Sequence, residues 1–207
     1  MENQGSVFIV DDDEGVREGL GLLLETIDQP YRLYSSAIEF LDEYDASWSG
    51  CLVLDIRMPR MSGLDLQEQL NQRGSLLPII FITGHGDIPM AVEAMRRGAL
   101  DFIRKPFREQ DLLDRINEAL DRNEDKRKVR EDRQDTLDRL SSLSERELEV
   151  FGRVAAGDMS KVIAFDLGIS ERTIEVHRSN IMKKLGVRTL ADLVRIRIEA
   201  KLFLGSE

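Results

Sequence analysis

Short apolar runs alternate with longer mixed stretches along the first 120 residues. The clearest runs are Val7-Phe8-Ile9-Val10, Cys51-Leu52-Val53-Leu54, Pro78-Ile79-Ile80-Phe81-Ile82 and Leu100-Asp101-Phe102-Ile103-Arg104. Runs of this length, rich in β-branched and aromatic residues, read as buried parallel strands joined by crossover helices. Helical patterns fall near residues 13–27, 36–45, 62–71, 87–97 and 108–120. Turn signals punctuate them at Gln29-Pro30, Ser49-Gly50, Arg73-Gly74, Gly84-His85-Gly86 and Arg97-Gly98. Strand and helix alternate five times, and no GxGxxG element is present. Together these features predict an α/β domain with a flavodoxin-like five-stranded parallel sheet rather than a dinucleotide-binding one.

The pattern changes over residues 121–139. Of these 19 residues 14 are charged, and only Val129 and Leu137 are clearly apolar. Alternating signs without Pro or Gly suit a solvated helix or a flexible tether, with helix the expected form. Helical periodicity returns over residues 140–207. Ser144-Glu145-Arg146-Glu147 reads as a capping box opening a helix to about Ala156, ended by Gly157. A second helix is predicted from about Ser160 to Leu167, closed by Gly168. A third follows Ser170 as N-cap and runs to Leu185, and a fourth spans about Thr189 to Leu202. Four helices with tight glycine joints predict a small all-α helix-turn-helix domain. The chain thus divides into residues 1–120, a linker over 121–139, and residues 140–207.

Composition sharpens this division. The 207 residues carry a net charge of -10. Residues 1–120 hold 11 basic against 22 acidic side chains, whereas residues 140–207 hold 11 against 10. The first part is unsuited to polyanions and the second tolerates them. The single cysteine, Cys51, excludes an internal disulfide and lies inside an expected strand. No leader-like segment opens the chain and no apolar run approaches membrane-spanning length, so a cytoplasmic protein with no membrane partner is expected.

The candidate chemistry lies at the ends of the apolar runs. Asp11 and Asp12, Asp55, Thr83 and Lys105 follow successive strands, and ligands in open parallel sheets bind at the strands' carboxyl ends. Clustered carboxylates repel one another, and a divalent cation such as Mg²⁺ would neutralise them. An ionised Asp55 then has the character of an in-line nucleophile on phosphorus. Lys105 and Thr83 would bind the remaining phosphoryl oxygens.

Val10-Asp11-Asp12-Asp13, Leu54-Asp55-Ile56-Arg57-Met58-Pro59, Ile82-Thr83-Gly84-His85 and Arg104-Lys105-Pro106-Phe107 together resemble the receiver domain of bacterial two-component response regulators. The stretch from Thr83 to Val92 resembles the FixJ-type branch. The resemblance implies that Asp55 accepts a phosphoryl group from a sensor histidine kinase. It also implies that Mg²⁺ is bound by Asp12, Asp55 and the Arg57 carbonyl, with Asp11 adjacent through water. A cis peptide bond before Pro106, a Thr83–Phe102 switch, and dimerisation through the fourth helix and adjoining strand are further implications. On that helix Ala91, Ala94 and Met95 are read as the inward stripe, with Val92 and Arg96 facing outward.

In the third helix of the second domain, Ile174, Ile181 and Leu185 share one face. Arg172, Glu175, Val176, Ser179 and Lys183 share the other, which is suited to a major groove. Arg178, Lys183, Lys184 and Arg188 form a basic cluster of the kind that positions phosphates. With Leu143-Ser144-Glu145-Arg146-Glu147 and Lys184-Leu185-Gly186-Val187, this segment resembles the LuxR-type DNA-binding domain. By that likeness Glu175, Val176 and Ser179 face bases, with Lys161, Thr173, Arg178, Lys183 and Lys184 as further double-stranded DNA contacts. Ser160 stands where the family usually has Asn. His177 is read as structural, and two histidines give no basis for a zinc site.

The expected function is a transcription factor switched by phosphorylation, forming a homodimer on DNA and working with RNA polymerase, without an external substrate. A haloacid-dehalogenase-type hydrolase is disfavoured, because Arg57 stands where that family places its second Asp. A phosphorylation-insensitive adaptor is the third reading.

Overall fold

The structure is a computed structural model that describes residues 5–84 and 88–204. Of the expected turn Gly84-His85-Gly86, His85 and Gly86 lie outside the described residues. The chain forms two compact units, residues 1–127 and 128–207.

In the first unit the elements alternate as β1 (Ser6–Val10), α1 (Glu14–Glu25), β2 (Tyr31–Tyr34), α2 (Ala37–Glu43), β3 (Gly50–Asp55), α3 (Gly63–Gln72), β4 (Ile79–Thr83), α4 (Ile88–Arg96) and β5 (Asp101–Arg104). The sheet order is β2-β1-β3-β4-β5, every pair parallel. The order reverses direction between β1 and β3, which opens a crevice at their carboxyl ends. β3 is buried throughout, and its side chains feed cores on both sheet faces. One face gathers Phe8, Leu52, Leu54, Phe81 and Phe40, with Trp48 stacked on Phe8 at 4.6 Å between ring centroids. The other gathers Ile9, Val53, Ile80, Leu112 and Ile116.

The helix α5 (Glu109–Ser141) is continuous through the charged stretch, and the two units divide within it. Asn123 explains why the first unit reaches past residue 120. Its side chain is buried, accepting from the Gly50 amide at 2.9 Å and donating to the Leu76 carbonyl at 2.9 Å. Arg127 also belongs to the first unit, donating to the Trp48 carbonyl at 3.1 Å.

In the second unit, α6 (Glu145–Val154), α7 (Ser160–Leu167), α8 (Glu171–Leu185) and α9 (Leu190–Leu204) surround Val150, Phe151, Ile163, Ile174, Ile181 and Leu185. Ser144 caps α6 through the expected reciprocal box with Glu147. The helix ends two residues earlier than its pattern predicts, because Ala155, Ala156 and Gly157 close a tight turn onto Phe151, Arg153 and Val154. Gly168 ends α7 at φ 64°, a left-handed conformation that favours glycine, and Ser170 caps α8 two residues later.

Candidate functional site

The crevice is built from strand ends. Asp11 follows β1 and is buried; Asp55 ends β3 and is 7 % exposed; Thr83 ends β4 and is buried; Lys105 follows β5. The Lys105 ammonium bridges the two carboxylates, donating to Asp11 Oδ2 at 2.6 Å and Asp55 Oδ1 at 3.1 Å. Its amide donates to the Thr83 carbonyl at 2.7 Å, which ties the lysine to β4. The Lys105–Pro106 peptide bond is cis. Asp55 Oδ2 accepts from the Arg57 amide at 2.7 Å. Asp12 lies exposed between Asp11 and the α1 N-cap, Asp13.

Charge is unevenly matched here. Burial raises the pKa of Asp55, and the neighbouring Lys105, shared with Asp11, only partly opposes it. For Lys105, burial works toward a lower pKa. Its hydrogen bond to Asp11 and the charges of both carboxylates outweigh that, so the value is raised and the ammonium is strongly held. Lys105 therefore serves both buried carboxylates.

Among the described residues no three acidic, His or Cys side chains stand close enough to form a ready metal cluster. Lys105 occupies the space between Asp11 and Asp55, and Asp12 is turned to solvent. The donor chemistry nonetheless fits Mg²⁺. The available ligands are hard carboxylate oxygens, one of them held back from ionising, and Mg²⁺ takes one or two of these while retaining water.

Three contributors escape a reading by motif. The Arg17 guanidinium on α1 donates to the Asp11 carbonyl at 2.7 Å, and the Asp13 amide donates to Asp11 Oδ1 at 2.9 Å. Gly63 opens α3 directly against the site, where a Cβ would stand 2.2 Å from the Asp55 carbonyl oxygen. The sequence signal for Gly63 was available: glycine right after a Ser N-cap marks a close backbone approach.

Phe102 lies on β5, partly buried against the first core. On α4 the inward stripe is narrower than expected. Ala94 is buried, but Met95 is exposed and lines up with Ile88 and Val92 at i, i+4 and i+7. Arg96 is exposed beside them. The outward face of α4 is thus an apolar stripe, and Met95, expected inward, belongs to it because Ala94 takes the core position.

In the second unit Ile174, Ile181 and Leu185 are buried, and Arg172, Thr173, Glu175, Val176, Ser179 and Lys183 are exposed, as is Lys161 on α7. Arg178 is half-buried and turned toward α7, where it donates to Ser160 Oγ at 3.3 Å. Lys184, expected among the phosphate-positioning cations, is exposed and also pairs within the unit. It donates to buried Glu147 at 2.6 Å and to the Ser142 carbonyl at 3.1 Å.

Known proteins match both units. The profile of the response regulator receiver domain matches residues 7–117, and that of the luxR family of bacterial regulatory proteins matches residues 141–197. The chain is a two-component response regulator of the LuxR/FixJ type. The transcriptional regulatory protein TdiR of Thauera aromatica is 46% identical over 192 residues, covering 93% of this chain and 85% of that one. The solved structure of the response regulator StyR superposes with a TM-score of 0.91 at 48% identity, covering 95% of this chain and 99% of that one. Full-length FixJ from B. japonicum gives a TM-score of 0.59 at 39% identity, covering 96% and 98%. This response regulator is a regulator of transcription with a receiver domain and a LuxR-type DNA-binding domain. Among its described residues no helix is long and apolar enough to cross a membrane.

Proposed function

We propose that phosphorylation of Asp55 by a sensor histidine kinase switches this regulator into a dimer that binds DNA sequence-specifically. The observation that carries the proposal is the Lys105 ammonium shared between two buried carboxylates at the sheet's carboxyl edge. An Asp55 oxygen forms the O–P bond as the P–N bond of the kinase's phosphohistidine breaks, and the imidazole nitrogen keeps the electron pair. Lys105 neutralises the incoming phosphoryl oxygens, and the Arg57 amide holds the carboxylate in line. Asp12, Asp55 and the Arg57 carbonyl would hold Mg²⁺, with Asp11 joined through water, and the ion supplies further neutralisation of the phosphoryl charge.

Thr83 then hydrogen-bonds the phosphoryl group, and Phe102 moves into the space behind it. One new hydrogen bond is enough to shift a small energy gap between two states. The Ile88, Val92 and Met95 stripe with Arg96 is the surface through which a second copy docks. In the dimer two α8 helices engage a two-fold site, where tethering multiplies the modest affinity of each half. Glu175, Val176 and Ser179 face bases, while Lys161, Thr173, Arg178 and Lys183 contact or frame the backbone. The DNA-bound dimer acts on transcription through RNA polymerase.

The test is to incubate the protein with a small phosphodonor and Mg²⁺ and to measure intact mass and solution molar mass. Wild type should gain one phosphoryl group and dimerise, whereas Asp55→Asn should do neither. An Asp55→Asn protein that still dimerises with phosphodonor refutes the switch. Release of phosphate from a generic monoester would favour the hydrolase instead.

A further inference from the structure

Ser160 is the first residue of α7, one position past the N-cap Met159. Here no side chain caps α7. The Ser160 hydroxyl crosses instead to α8, donating to Glu175 Oε1 at 2.6 Å, and accepts from Arg178 Nη1 at 3.3 Å. Arg178 Nε also stands 3.9 Å from Glu175 Oε2. A guanidinium only donates and an ionised carboxylate only accepts, so a group that bridges them must do both. A hydroxyl does both; an alanine at 160 would do neither.

The consequence falls on Glu175. Its side chain is 62% exposed and would sample many rotamers if unrestrained. The Ser160 bond engages Oε1, and Oε2 stands 3.9 Å from Arg178 Nε, beyond hydrogen-bond distance. We propose that Ser160 is a positioning residue that sets the base preference of α8 by holding Glu175 in one orientation. The group it would present best is a carboxylate oxygen to an exocyclic amino donor in the major groove, as on cytosine. Arg178, drawn into the same triad, steadies Glu175 through the shared hydroxyl. The inference rests on the DNA-binding reading above and adds to it a residue on the neighbouring helix that determines specificity.

The experiment uses the 207-residue chain treated with phosphodonor and Mg²⁺. A pool of randomised duplexes is selected with wild type, and affinities are then measured for the selected duplex and its single-base-pair variants. Glu175→Ala should flatten the preference at one base pair in each half-site. Ser160→Ala should narrow the preference at that same base pair about 2–10-fold, the range expected when one side chain loses its preorganisation. Preferences at other positions should be unchanged, and Ser160→Thr, which keeps the hydroxyl, should restore the lost one. A merely structural serine predicts a different result: weaker binding to every duplex with an intact preference profile, and a lower melting temperature. That outcome overturns the proposal, as does a Glu175→Ala protein whose preferences match wild type. If wild type enriches no sequence at all, the DNA-binding reading fails first and takes this inference with it.

Discussion

Two lysines in this protein each stand 2.6 Å from a buried carboxylate, and they do opposite things. In the receiver crevice Lys105 divides its charge between Asp11 and Asp55, and burial still holds the Asp55 pKa above its usual value. In the DNA-binding unit Lys184 faces one carboxylate, Glu147, which also accepts from the Ser144 amide at 2.8 Å. There the hydrogen bond from Lys184, joined by that of the amide, pulls the Glu147 pKa down to about 2. The functional groups and distances are alike, so the stoichiometry decides. A matched pair, one ammonium to one carboxylate, is a fastening between α6 and α8. An ammonium shared by two carboxylates, one of them with a raised pKa, marks a site with unmet demand for positive charge.

Removing Lys105 breaks the comparison most severely. Lys105→Met leaves Asp11 and Asp55 facing each other without a cation, and leaves incoming phosphoryl oxygens without their fixed donor. Phosphorylation by a small phosphodonor should slow by roughly 100-fold or more, the scale for losing one preorganised donor to a charged transition state. Intact mass followed against time checks this. A rate within a few-fold of wild type would mean that the shared ammonium is incidental.

Lys184→Met should have the reverse signature. Phosphorylation of Asp55 is expected to proceed at the wild-type rate, while α6 and α8 lose their fastening and the second unit melts at a lower temperature. Because Lys184 is engaged with Glu147, the salt dependence of DNA binding should keep its slope. A true phosphate contact would instead reduce that slope by about 0.9 per charge removed. Affinity titrations at several salt concentrations separate the two.

This division of labour was only partly legible in the sequence. Asp11, Asp55 and Lys105 could be placed at one crevice because each ends an apolar run, and strand ends in a parallel sheet share an edge. That the ammonium is shared was not legible, since it depends on side-chain reach across residues 50 and 94 positions apart. The pairing of Lys184 is not legible either, since its partner, Glu147, is 37 residues away on another helix. β2 follows from the alternation alone and not from its own residues. Tyr31–Tyr34 is an edge strand whose middle residues are exposed, so it shows no continuous apolar run. The continuity of α5 was obscured for a similar reason. Much of its charged stretch is solvated, and a helix without a buried face shows no 3.6-residue apolar period. Met95 was misplaced because Ala91, Ala94 and Met95 satisfy helical spacing as well as Ile88, Val92 and Met95 do. Only the packing of Ala94 decides which stripe is inward.

The smallest expected effect is a pH dependence, and it tests the matched pair most directly. The Glu147 pKa lies near 2 in the folded protein against an ordinary 4.5, so folding favours the ionised form. The stability this contributes is fully present above pH 4.5 and is lost as pH falls through about 2. Glu147→Gln keeps an acceptor for the Ser144 amide but removes the charge that Lys184 meets. At neutral pH the variant's second unit should melt below wild type, and the gap should close steadily as pH falls from 4.5 toward 2. Asp192 in the same unit also has a lowered pKa, set by its bonds to Thr189, so the wild-type curve falls for more than one reason. The difference between wild type and variant cancels that shared contribution. Amide-resolved thermal unfolding of α6 and α8 reads it without interference from the receiver. A gap that stays constant across this range would place the stabilisation in packing rather than in charge, and the contrast between the two lysines would lose its electrostatic basis.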